Sequence, residues 1–285
     1  MKEKLFKYTT MFISFFSVIF LLGIILSIFI EGFPLFREVN LLDFIFGKQW
    51  NPTHYEPEFG ILALIVSSLI VTIIALIVSI PLGVGSALYI SEVTNKKIKE
   101  ILKPVVELLA GIPSVIYGLF GMTVLGPFLS NIFGIPIGLN AFTAGIILGI
   151  MVIPIISSIS EDAINSVPNS LREASYALGA NKWETIIKVV LPASKSGVIT
   201  SIILGFGRAI GETMVVLMVA GGAPGFPKSI FRPVRPMTSS IAAEMGEATI
   251  GSLHYHALFA IGIILFIITF FSNLITNIVK DRSSR

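Results

Sequence analysis

Arg208 and Glu212 lie four positions apart inside the apolar run LGFGRAIGETMVV, residues 204–216, a spacing that puts both on one face of a helix. A charge at the centre of a bilayer costs about 2.5–3.5 kcal/mol on insertion scales, so such residues line a cavity or pair with each other. One reading of the pair is an internal salt bridge that locks its helix to the neighbours. The other is an anion site. A guanidinium stays charged in any protein setting, and its planar fork takes two oxyanion oxygens together. Glu212 would orient that fork, or accept a hydrogen bond from a protonated phosphate, which sulfate has no proton to donate at neutral pH. Gly205, Gly207 and Gly211 remove side-chain bulk around the pair, leaving room for a close helix or a passing solute.

A second constellation lies in residues 161–197, a segment too long for a mere connector. Ser170 followed by Glu173 fits a capping box, and Asn181 followed by Glu184 repeats the pattern. Gly179 between them suits the left-handed turn that ends a short helix, and Pro192 is expected to stop the second helix. Two short helices with a tight joint are the consequence. Leu171, Ala174, Ser175 and Leu178 would share a face of the first, and Trp183, Ile186, Ile187 and Val190 give the second an apolar surface. A helix pair lying on lipid headgroups is the plainer alternative.

Other chemistry is poorly supported. The sequence has no Cys and three His, so thiolate catalysis is excluded, and His254 and His256, two apart, point in different directions on a helix with no third ligand evident. No Ser-His-Asp grouping can be argued. No GxxxxGK[ST] phosphate loop occurs, so the chain is not expected to split ATP itself. Glu107 reads as an interfacial charge at the entrance of a membrane span. Lys228, Arg232 and Arg235 read either as solvated charge or as an attraction for anions.

The elements that must position these residues are membrane helices. Of the 285 residues 54% are hydrophobic and 13% charged, against about 25% charged in soluble domains. The mean hydropathy is +0.90. One all-α transmembrane domain with six spans is predicted, near 8–30, 60–90, 105–128, 139–160, 198–223 and 256–279, each long enough for the roughly 20 residues a bilayer requires and the second longer than one upright span needs. The first is kept as an anchor rather than a signal peptide, being longer than such a segment's apolar region. Pro81 is expected to bend or end the second span, Pro113 and Pro154 to kink the third and fourth, and Asn131, Gly134, Pro136 and Gly138 to form a turn. Six spans place both termini on one side. That side carries 14 of the 20 Lys and Arg, the other only Arg37, Lys48, Lys228, Arg232 and Arg235, so both termini are expected in the cytoplasm. Residues 31–58 and 224–253 are expected to be ordered caps or short interfacial helices outside.

With these residues in view, the stretch EASYALGANKWETIIKVVLP, residues 173–192, resembles the EAA motif of permease subunits of ATP-binding-cassette importers. Glu173, Ala174, Gly179, Leu191 and Pro192 match at the family's spacing, while Ser175 and Val189 replace the usual Ala and Ile. GRAIGET, residues 207–213, resembles the signature of phosphate-specific importer permeases, which adds Thr213 to the substrate path. FGKQWNP, SSIAAEMGEA and HALFAIG point to the PstC type rather than its PstA-type partner. The resemblance implies a type I importer permease (MetI-like) architecture and a coupling loop at 161–197 that docks on a cytoplasmic ATPase. It further implies a second, PstA-like permease, a PstB-like ATPase dimer that uses ATP and Mg, and an external PstS-like phosphate-binding protein. The expected role is phosphate import across the cytoplasmic membrane, with no cofactor on this chain and no nucleic-acid partner. A permease for molybdate or sulfate, or an ATPase-independent transporter or channel, is the alternative.

Overall fold

Runs of Leu, Ile and Val with few charges become helices here because a chain in lipid must satisfy its backbone N–H and C=O groups internally. The computed structural model describes residues 2–283. Helix α1 (Lys2–Gly32) passes into a tight turn, Phe33–Arg37. Short helix α2 (Leu41–Phe46) starts at Asn40, whose side chain accepts the Leu42 N–H. Strands β1 (Trp50–Asn51) and β2 (Glu58–Phe59) pair antiparallel as a small hairpin. Helix α3 (Leu62–Leu88) then continues through Pro81, so that proline does not end the span, and widens into a π turn at Tyr89–Val93.

The third span is displaced from its expected place. Residues 96–110 form a separate helix, α4 (Lys96–Ala110), capped by Asn95. The chain breaks at Gly111 and restarts after Pro113 as α5 (Ser114–Phe120), a π turn and α6 (Gly126–Phe133). Pro113 is thus the residue before a helix, not a kink inside one, because a residue that precedes proline is driven out of helical geometry. Glu107 accordingly sits on α4, exposed, rather than at the entrance of the span. Gly134, at φ +62°, closes α6 within the expected turn.

Helix α7 (Ala141–Asn165), started by the Asn140 side chain on the Thr143 N–H, runs on through Pro154. Four short pieces come next: α8 (Asn169–Ala177), α9 (Lys182–Thr185), a π turn at Ile186–Val190, and α10 (Leu191–Ala193). Helix α11 (Lys195–Ile210) leaves that assembly at 68°. After a break at Gly211, Glu212 and Thr213 the chain resumes as α12 (Met214–Val219), then α13 (Met237–Glu244) and α14 (Leu253–Ser283). Among the described residues five helices are long and apolar enough to cross a bilayer. A sixth arises when Lys182–Ala193 and Lys195–Ile210 are taken as one bent span.

The core lies between α3 and α7. Gly145 and Gly149, four apart, bring the two backbones together: a Cβ at Gly145 would lie 2.5 Å from Ile74, and one at Gly149 would lie 2.9 Å from the Ala75 carbonyl. Val71, Ala75, Ile147, Leu148 and Val152 fill the contact. Helix α1 stands outside this bundle against α14, with most of its Phe, Ile and Leu side chains exposed.

At the hairpin end, residues from 31–58 and 224–253 form one ordered cap around Leu35, Phe44, Trp50, Phe59, Met237 and Leu258. The Glu244 carboxylate ties it together. It accepts from Trp50 Nε1 at 3.0 Å and Arg235 Nη1 at 2.6 Å, and meets His254 Nε2 at 2.9 Å. Arg235 and His254 are therefore structural, and His256 Nδ1 lies 2.7 Å from the Glu31 carbonyl.

Candidate functional site

Helix α11 has two faces of different character. Gly205 and Ala209 point into the bundle, where a Cβ at Gly205 would already lie 3.0 Å from Ile156 and 3.1 Å from Val152. Gly205 is a packing glycine. On the other face a Cβ at Gly207 would meet nothing within 4 Å, and one at Gly211 only the Gly207 carbonyl at 3.4 Å. Arg208 and Leu204 are exposed on this face, as is Gly211 at its end.

The helix breaks beside Arg208, and Glu212 uses the break. Its side chain turns inward and is 3% exposed. Oε2 accepts from Arg208 Nη1 in a salt bridge. Oε1 accepts the backbone N–H groups of Met214 at 3.2 Å and Val215 at 3.4 Å, the free amides that open α12. A carboxylate at a helix start satisfies orphan donors and meets the positive end of the helix dipole. The Glu212 carbonyl accepts from Thr238 Oγ1 at 2.7 Å, which fixes the break to α13. Thr213 is half-buried beside it.

This geometry separates the roles read into the pair. Both Glu212 oxygens have protein donors, so Glu212 aims the guanidinium and caps α12. The Arg208 side chain is 44% exposed, and its Nε and Nη2 make no hydrogen bond among the described residues. A fork held on one nitrogen and open on its other edge can receive two anion oxygens. The pair is therefore an internal salt bridge that also presents a cation.

The second site is the α8–α10 assembly. Pro168, not Ser170, precedes the first helix; Ser170 falls inside the opening turn and makes no capping bond. Asn181 and Glu184 do form the expected box, with N–H to side-chain oxygen distances of 3.0 and 2.9 Å in the two directions. The Asn181 N–H, and then Lys188, hold the Glu184 carboxyl below the usual range. Gly179 adopts φ +86° at the joint. The joint is pinned by Ser175 Oγ and Thr185 Oγ1, 2.9 Å apart and both buried. Spacing alone does not single out Thr185, since its role depends on a residue ten positions away. The second helix does not stop at Pro192 but at Ala193, where Ser194 Oγ takes up the Val190 carbonyl.

Together these residues frame a concavity of about 520 Å³ lined by Leu171, Ala174, Ser175, Leu178, Gly179, Glu184, Lys188 and Val189. Glu173 and Ala174 are exposed on its helix, and Leu178 and Trp183 are strongly exposed. Beside it lie ion pairs that no local pattern announces. Glu161, at the end of α7 and 2% exposed, takes Lys99 at 3.1 Å and Lys103 at 3.0 Å from α4. Its hydrogen bond and charge raise the Lys103 ammonium above the ordinary lysine range. Arg172 of α8 pairs with Glu92.

Comparison with known proteins agrees with this arrangement. Residues 79–285 match the family described as binding-protein-dependent transport system inner membrane component. The chain is 39% identical over 244 residues to a probable ABC transporter permease protein, YqgH, of Bacillus subtilis (strain 168), covering 86% of this chain and 79% of that one. It is 36% identical over 286 residues to the phosphate transport system permease protein PstC of Pasteurella multocida (strain Pm70), covering 94% and 88%. In three dimensions it superposes on a chain of a bacterial alginate ABC transporter, solved with an alginate-bound periplasmic protein, at a TM-score of 0.68 and 17% identity over 99% of this chain and 96% of that one. A chain of the MetNI methionine ABC transporter gives 0.55 at 22% identity over 77% and 94%.

Proposed function

We propose, since this chain belongs to the family of inner membrane components of binding-protein-dependent transport systems, that it is a permease subunit of an ATP-driven importer whose substrate is inorganic phosphate. The observation that carries the substrate is the Arg208 fork, half-exposed on an open helix face beside Gly207 and Gly211 and aimed by a buried Glu212. The phosphate permeases among its relatives support the same substrate.

In this reading the open face of α11 is completed by a second permease, so that Arg208 borders a path between the two subunits. An ATPase dimer docks in the α8–α10 concavity, holding its own ATP and Mg. An extracytoplasmic binding protein delivers phosphate at the hairpin end, and both termini are cytoplasmic. ATP binding closes the ATPase dimer and displaces the α8–α10 assembly. The displacement opens the path outward, phosphate passes Arg208, and hydrolysis resets the subunits. Arg208 attracts the anion electrostatically and drops it readily, because Glu212 already neutralises part of its charge.

The test is ATP-dependent uptake of labelled phosphate into vesicles that hold the reconstituted importer and its binding protein. Wild type should import phosphate, and Arg208→Ala should remain assembled, hydrolyse ATP and import little. Normal import by Arg208→Ala would remove the site assignment. Glu212 is 3% exposed and already accepts from Arg208, Met214 and Val215, so the pair offers no exposed reader of the phosphate proton. Sulfate and molybdate therefore belong in the same assay as competitors, and better uptake of either would replace phosphate as substrate.

A further inference from the structure

The α8–α10 assembly must pass its displacement to the membrane helices, and covalent continuity runs only into α7 and α11. Helix α3, the principal neighbour of α7, has no chain connection to it. One side chain supplies one. Arg172, in the first half of α8, donates from Nε and Nη2 to Glu92 Oε1 at 3.1 and 2.6 Å. Glu92 belongs to the π turn that ends α3. The same guanidinium donates to the Val167 carbonyl at 2.5 Å and, from Nη2, to the Ile164 carbonyl at 3.0 Å. Arg172 thus holds the end of α3, the last turn of α7 and the root of α8 at once. Both side chains are largely sequestered, at 15% and 9% exposure. Beneath them Ala87, Ile164, Val167 and Val190 form a small buried cluster that joins the same elements.

The π turn is what brings Glu92 there. A wide turn interrupts the regular helical register, and within it Glu92 meets Arg172 of α8. Ser91 of the same turn donates to the Glu161 carbonyl of α7 at 3.5 Å, a longer contact. A guanidinium with donors on three segments is a rigid fork, whereas a lysine would supply one mobile point of attachment.

We infer that Arg172 and Glu92 are a positioning pair that makes α3 move with the coupling assembly, so that ATP hydrolysis and opening of the path stay linked. The inference rests on the importer reading above and adds a residue pair that touches neither substrate nor ATPase. It is tested in the complete reconstituted importer by measuring phosphate uptake and ATP hydrolysis together. Glu92→Ala is the cleaner variant because it leaves the Arg172 bonds to Val167 and Ile164 in place. It should assemble, hydrolyse ATP, and lose about tenfold in phosphate moved per ATP, a typical size for the coupling between two sites. Glu92→Asp, which keeps a carboxylate for the guanidinium, should retain most of the wild-type ratio, whereas Glu92→Gln, of the same size without the charge, should fall toward Glu92→Ala. Unchanged uptake per ATP in Glu92→Ala overturns the inference, as does an assembled Glu92→Asp no better than Glu92→Ala. If Glu92→Ala does not assemble, Glu92→Gln decides against wild type, by losing coupling or keeping it. Absence of ATP-dependent uptake in the wild type would instead strike at the importer reading itself.

Discussion

Both Glu212 oxygens hold protein donors, and that decides what its replacements should do. Glu212→Ala removes the acceptor for the Met214 and Val215 amides and leaves Arg208 unpaired. Loss of a helix-start acceptor costs about 1 kcal/mol, and an unpaired charge beside it adds a similar amount, discounted because Arg208 is half in solvent. The variant should unfold at a lower temperature in detergent, whereas Glu212→Gln, which keeps an oxygen for the amides but not the ion pair, should lose about half as much. Equal loss in both would show that the ion pair, not the cap, holds the break. Gly179 makes a second case at this scale. A Cβ there meets nothing within 4 Å, so any penalty is purely that of φ +86°, about 1–2 kcal/mol for a residue with a side chain. ATPase docking, read by co-purification, should weaken least for Gly179→Asn, which tolerates this geometry, more for Gly179→Ala, and most for the β-branched Gly179→Val.

Among the elements, the contact between α3 and α7 depends on Gly145 and Gly149, whereas Gly207 on the Arg208 helix meets nothing within 4 Å. Gly149→Val would force a branched side chain against Ala75 and Val78, an overpacking worth about 1–3 kcal/mol. Gly207→Ala enters open space and, with Ala the better helix former by about 1 kcal/mol, should not lower the melting temperature. Thermal melts of the two in one detergent separate packing glycines from those on the open face, and a destabilised Gly207→Ala would place an unseen contact there. Legibility of the sequence at this scale depends on the range of the forces involved. Arg208 and Glu212 declare themselves because charge is expensive in the middle of an apolar run. The Asn181–Glu184 box and the Gly179 turn are legible because every atom involved lies within a few residues. Glu161 is not legible: a carboxylate at the end of an apolar run is ordinary, and its lysines sit on another helix. The start of the third span is misplaced by sequence reasoning for a related reason. Charges alone mark its edge, while the actual boundary is the Gly111–Pro113 break in an uncharged stretch. Ser170 fails as a cap because Pro168 already fixes where α8 begins.

For the whole molecule the open question is which way it crosses the membrane, since the Lys and Arg bias is the sole physical argument for it. The structure supplies two markers at opposite ends of the bundle. Tyr55 stands fully exposed in the hairpin cap, and Leu178 stands 89% exposed at the tip of α8. The absence of Cys means that one introduced thiol can be labelled without background. Tyr55→Cys should react with a membrane-impermeant maleimide applied to intact spheroplasts. Leu178→Cys, in the chain expressed without an ATPase subunit to cover it, should react only after permeabilisation. Neither position packs against the core, so each variant should fold as the parent does. This pattern would place the concavity between α8 and α10 where ATP is available, and the hairpin cap where a binding protein arrives. The reverse pattern would set the basic end of the bundle outside and deny the α8–α10 assembly any contact with a cytoplasmic ATPase. The coupling role of Arg172 and Glu92 would fall with it, whereas the Arg208 fork, which lies on the open face of α11, would still be free to meet an anion.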